Sequence, residues 1–65
     1  MISYEPLWET MKQKNVTTYA LINKGISSRT ISNIRNNKGI TLHTLEKLCR
    51  IIDCRVEDII EFIAD

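Results

Sequence analysis

Over Ser27-Ser28-Arg29-Thr30-Ile31-Ser32-Asn33-Ile34-Arg35-Asn36-Asn37 the only strongly apolar residues are Ile31 and Ile34. They lie one helical turn apart, so a helix here has a narrow inward stripe and a wide polar face. That face carries Ser28, Arg29, Ser32, Asn33, Arg35 and Asn36, with no carboxylate among them. Hydroxyls, amides and guanidinium groups are the partners that base edges and phosphates require. Arg29, in the first turn, is placed to reach a guanine O6/N7 edge, and Asn33, one turn on, to pair with an adenine. Ser28 joins them as the third expected base contact.

Other reactive side chains do not form a centre. Cys49, Cys54 and the single His43 lack the spacing of a zinc finger or ribbon and lack a fourth ligand. Cys49 also falls on an apolar stripe, so reduced, buried or half-buried thiols are expected, with no metal and no cofactor. The acidic C-terminal residues have no nucleophile, base or phosphate-binding glycine loop beside them. An enzyme is not expected, nor a small-molecule ligand.

The 65 residues form one domain, 1–65, able to bury about 60% of the surface exposed by the unfolded chain. A hydrophobic fraction of 43% with only short apolar runs suits a globular chain and excludes a membrane span. The start, Met1-Ile2-Ser3-Tyr4-Glu5-Pro6, lacks the pattern of a signal peptide, so a cytoplasmic location is expected. The net charge of +1 hides a polarity. Residues 1–50 carry eight basic side chains against three glutamates, whereas residues 51–65 carry Arg55 against five acids. A basic body with an acidic tail allows a polyanion at one end and solvent or a partner at the other.

The elements that must position the polar helix follow from caps and periodicity. Pro6 suits the first turn of a first helix whose inner face holds Leu7, Trp8 and Met11, with Lys12 and Lys14 outside. Thr17 caps a second helix ending at Lys24, and a short turn through Gly25 leads to Ser27, the cap of the polar helix at about 28–37. Thr17 and Thr18 present hydroxyls and free N–H groups at a positive helix end, a suitable place for a phosphate. After the Lys38-Gly39-Ile40 loop, Thr41 caps a fourth helix with Leu42, Leu45, Leu48, Cys49 and Ile52 as its stripe. Val56, Ile59, Ile60 and Ile63 have the spacing of a fifth. No segment alternates with period two, so no strands are expected.

These features resemble the Cro and lambda-repressor helix-turn-helix family over nearly the whole chain. The matching residues are Gly25-Ile26-Ser27, Thr30-Ile31-Ser32, Lys38-Gly39, Thr41-Leu42, Leu45, Leu48-Cys49 and Asp58-Ile59-Ile60. The stretch from Leu48-Cys49 to Asp53-Cys54-Arg55-Val56-Glu57-Asp58 is similar to the small single-domain bacterial and phage members. Thr17 stands where many members carry Gln. The resemblance implies an all-α, five-helix lambda-repressor-like domain whose helices 2 and 3 form the helix-turn-helix. It implies that the third helix enters the major groove while the start of the second and the loop after the third touch phosphates. Thr17, Thr18, Ser27, Thr30, Asn36 and Lys38 make up the expected backbone-contact set.

Two functions fit. The first is a small transcriptional regulator that binds double-stranded DNA sequence-specifically, as a homodimer on a near-palindromic site. The other is a protein-interaction module of the same fold that has lost DNA binding. The carboxylate-free helix favours the first, and the near-zero net charge favours the second slightly. Phe62 and Ile63 either supply part of a dimer surface or fold back on the first helix.

Overall fold

The computed structural model describes residues 1–64. A strand β1 (Ile2–Ser3) leads into α1 (Glu5–Lys14), α2 (Thr18–Asn23), α3 (Ser28–Arg35) and α4 (Leu42–Ile52). A single 3-10 turn (Val56–Asp58) and a strand β2 (Glu61–Phe62) complete the chain.

The helix starts are set by hydroxyl caps. Thr17, Ser27 and Thr41 each accept the backbone N–H three residues on, from Ala20, Thr30 and Thr44, all at 3.1 Å. Each bond satisfies a donor that the first helical turn leaves free. α1 has no such cap and starts with Pro6 in its first turn. The N–H of Leu7 instead reaches the Ile59 carbonyl at 3.2 Å, so α1 is anchored at its start by the end of the chain.

All four helices end in one way. Asn15, Gly25, Asn37 and Asp53 have left-handed backbones, with φ of 57°, 105°, 55° and 59°. The next residue donates its N–H back across the turn: Val16 to Met11, Ile26 to Leu21, Lys38 to Asn33 and Cys54 to Cys49, at 2.8–3.1 Å. This closure satisfies a terminal carbonyl and brings together the side chains of the two bonded residues. At α1 and α2 those pairs are apolar, and Met11, Leu21 and Ile26 are buried in the core. Gly25 suits its corner, because a Cβ at φ 105° would be strained and would lie 2.8 Å from the Lys47 ammonium.

One core holds the elements together. Leu7 and Met11 of α1, Leu21 of α2, Ile31 and Ile34 of α3, and Leu45, Leu48 and Ile52 of α4 are buried with Tyr4, Ile26 and Ile59. The inward pair Ile31 and Ile34 is thus where its spacing placed it. Trp8 is half-buried against this cluster rather than inside it. Leu42, expected on the stripe of α4, is 83% exposed. It is the first residue of the helix and lines an open surface groove with Cys49 and Val56.

Among the described residues the expected fifth helix gives way to the 3-10 turn and β2, leaving four α-helices and a small antiparallel sheet. Ile2 pairs with Phe62 and Ser3 with Glu61, and the Ile63 N–H reaches the Met1 carbonyl at 2.8 Å. The reason lies in α1. A helix continuing from Val56 needs the Asp58 and Ile59 carbonyls for its own fourth-neighbour bonds. The Thr10 hydroxyl takes the first at 2.8 Å and the Leu7 N–H takes the second. The turn is instead closed by the Asp58 carboxylate, which accepts the Arg55 N–H at 3.0 Å. Phe62, on β2, is 78% exposed and does not fold back into the core. No described helix is long and apolar enough to cross a membrane.

Candidate nucleic-acid interface

α3 is held from one side only. Ile31 and Ile34 face the core, while Ser28, Arg29, Ser32 and Arg35 are exposed. Side chains so placed can meet a ligand without disturbing the core, because nothing in the fold depends on their contacts. Ser28 and Arg29 lie where the sequence placed them.

Asn33 lies deeper than an outward position suggests. It is half-buried in a cleft of about 240 Å³ between α3 and the start of α4, with Thr30, Gly39, Ile40, Thr41 and Thr44 as the other walls. This wall of hydroxyls and amide is polar, and Thr41 donates to Thr44 across 2.9 Å. Asn33 therefore lies at the edge of α3 that adjoins the following loop, with Arg29 one turn before it.

The expected backbone-contact residues have uneven freedom. Thr17 Oγ1 is engaged as an acceptor by the Ala20 N–H, which leaves its O–H available to donate. Thr18 is half-buried at the first position of α2. Ser27 Oγ accepts the Thr30 N–H and also lies 3.0 Å from Thr30 Oγ1, so the two hydroxyls share one hydrogen bond and retain one O–H between them. Asn36 donates from Nδ2 to the Ser32 carbonyl at 3.0 Å, which turns its amide back along the helix. Its second amide hydrogen is the donor left for a further partner.

Lys38 is exposed, and the backbone beneath it is fixed twice. Its N–H reaches the Asn33 carbonyl at 2.8 Å, and its own carbonyl accepts the Tyr4 hydroxyl at 2.6 Å. Tyr4 is buried, and burial raises its phenol above the usual tyrosine range, which keeps the hydroxyl a donor. This tie on the loop backbone is one that the sequence did not announce. Tyr4 lies 34 positions before the carbonyl it holds, and nothing in local spacing links them.

The electrostatics favour an anion over this region. No carboxylate occurs between Glu9 and Glu46, a span that contains Lys12, Lys14, Lys24, Arg29, Arg35 and Lys38. Not all of these charges are free. Lys14 donates to the carbonyls of Ile52 and Asp53 at 3.2 and 2.6 Å and so caps the end of α4. Just beyond that span, Lys47 donates to the Gly25 carbonyl at 3.0 Å, bracing the corner between α2 and α3. Arg29, Arg35 and Lys38 remain exposed around α3 and its loop.

Elsewhere, His43 is exposed, and no three His, Cys, Asp or Glu side chains gather into a metal-binding group among the described residues. Cys49 and Cys54 are half-buried free thiols.

Comparison with known proteins agrees with this geometry. A family profile described as Cro/C1-type HTH DNA-binding domain matches residues 6–65. Among solved structures, the chain is similar to the crystal structure of the transcriptional regulator VanUg, form II. The TM-score is 0.88 at 25% sequence identity, over 98% of this chain and 87% of that one. No curated protein matches the chain.

Proposed function

Because the chain belongs to the Cro/C1-type helix-turn-helix DNA-binding domains, we propose that it is a transcriptional regulator reading a specific site in duplex DNA. α2 and α3 form the helix-turn-helix, and α3 lies in the major groove. Ser28, Arg29 and Asn33 read base edges. Thr17, Thr18, Ser27, Thr30, Asn36 and Lys38 hold the sugar-phosphate backbone on either side. The observation that carries this reading is the exposed, carboxylate-free face of α3 beside a loop whose backbone is tied down at Lys38. A rigid loop beside a reading helix sets the depth and register at which side chains meet the bases.

The working unit is a homodimer. One domain offers a single short reading helix, too little contact for selectivity against a genome of competing sites. A two-fold pair would place its α3 helices in successive major grooves, about 34–36 Å apart, on a near-palindrome with half-site centres roughly 10 bp apart. Phe62 and Ile63, which are exposed, supply part of the apolar contact surface.

Selection from a randomised duplex pool at stated salt tests both statements. The expected result is an enriched near-palindrome, bound by two chains per duplex in sedimentation. No enrichment would hand the fold to the protein-interaction reading, and one chain per duplex at saturation would remove the dimer.

A further inference from the structure

The end of α4 repeats the closing turn of the other helices with a different pair of side chains. Asp53 is left-handed and the Cys54 N–H reaches the Cys49 carbonyl at 3.1 Å. That backbone brings together the side chains of the two bonded residues. Where α1 and α2 place Met11 with Val16 and Leu21 with Ile26, α4 places the chain's two cysteines. Both are half-buried and line the same open groove of about 550 Å³, with Leu42 and Val56 among its other walls. The pair is therefore assembled by the fold, reachable from solvent and outside the region assigned to DNA.

We propose that Cys49 and Cys54 are a reversible redox site that closes to an intramolecular disulfide by exchange with a low-molecular-weight disulfide such as glutathione disulfide. One cysteine, as thiolate, attacks a sulfur of the small disulfide. A protein-glutathione bond forms, and the first glutathione leaves with the electron pair and takes up a proton. The second cysteine then loses its proton and attacks the protein sulfur of that mixed disulfide, and the second glutathione leaves in the same way. Two protein thiols are oxidised to one disulfide, and one glutathione disulfide is reduced to two glutathione molecules. The product ties the last turn of α4 to the segment entering the 3-10 turn.

The surroundings govern the speed. Burial raises both thiols above the usual range, and the charges of Asp58 beside both, and of Glu46 and Glu57 beside Cys49, raise them further. Lys14 acts in the opposite sense on Cys54. Thiolate is scarce at neutral pH, so the site follows a sustained change in redox balance rather than a brief pulse.

The test equilibrates the intact protein in buffers of graded glutathione-to-glutathione-disulfide ratio, folded and in urea, followed by acid quench, alkylation and intact-mass measurement. In the folded protein both thiols should disappear together, giving a species lighter by two hydrogens that a dithiol reductant reverses. The midpoint should lie at a glutathione disulfide content about tenfold or more below that of the unfolded chain, since the fold raises the effective concentration of one thiol at the other. Cys49→Ser and Cys54→Ser should yield only the mixed disulfide. Accumulation of mixed disulfides on the unmutated folded chain, or a folded midpoint equal to or above the unfolded one, would overturn the proposal.

Discussion

At the end of α2, the turn through Gly25 brings Leu21 and Ile26 together, and both vanish into the core. At the end of α3, the same turn through Asn37 brings Asn33 and Lys38 together, one half-buried in a polar cleft and the other exposed. The backbone is shared and the function differs. An apolar pair makes the turn a structural joint that cements α2 to the core. A polar pair makes it a platform, rigid in its main chain and free in its side chains. On the proposed reading, DNA-facing groups placed on a turn that elsewhere serves stability gain precision without having to stabilise the fold.

The largest separation of the two turns should come from Leu21→Ala. Leu21 is fully buried, so the substitution should cost about 2–5 kcal/mol of unfolding free energy. Urea denaturation measures this. A cost under about 1 kcal/mol would mean that the α2 turn is no more structural than the α3 turn.

Asn33→Ala is the counterpart at the platform. Loss of a bidentate base contact should cost roughly 1–3 kcal/mol of discrimination at one or two base positions, while binding to random duplex hardly moves. Denaturation should shift by no more than about 0.5–1 kcal/mol, as for a surface substitution. An unchanged base preference would place Asn33 among structural residues and blur the contrast.

How far this contrast was legible in the sequence depended on how local its causes are. Thr17, Ser27 and Thr41 declared their helices because a cap bond spans three residues. Ile31 and Ile34 declared the inward face of α3 by spacing alone. The fifth helix failed because Ile59, Ile60 and Ile63 keep helical spacing while the carbonyls such a helix needs are claimed by Thr10 and Leu7, about fifty residues earlier. Strands of two residues are too short to show alternation. Separation in sequence also hid Tyr4, whose link to Lys38, 34 positions on, exists only once α1 and the loop are packed together. Asn33 showed its chemistry but not its depth, since its surroundings come from α4 as well as from its own helix.

Gly25→Ala should act on the structural turn by a smaller amount. A side chain at φ 105° is strained, and a Cβ there displaces the Lys47 ammonium from the Gly25 carbonyl. A loss of about 1–2 kcal/mol is expected from thermal or urea unfolding. A stability gain would show that the left-handed corner is not required.

Tyr4→Phe should give the smallest effect and touch the platform from below. Removal of the hydroxyl leaves the Lys38 carbonyl without its 2.6 Å partner, at a cost of about 0.5–1.5 kcal/mol in stability. Affinity for every duplex should fall slightly and to a similar degree, because the loop loosens while α3 stays in place. A change in base preference would contradict the role of Tyr4 as a support for the loop.

The most direct test of the central claim titrates unmutated protein, Arg29→Ala and Lys38→Ala against the selected duplex and a scrambled one over a range of salt concentrations. If α3 reads bases while its loop grips phosphate, Arg29→Ala should lose roughly 1–3 kcal/mol of preference for the selected duplex. Lys38→Ala should weaken both duplexes alike and reduce the salt slope by about 1. Equal weakening of both duplexes by Arg29→Ala, or loss of preference in Lys38→Ala with the salt slope unchanged, would contradict the assignment of reading and gripping to these two places.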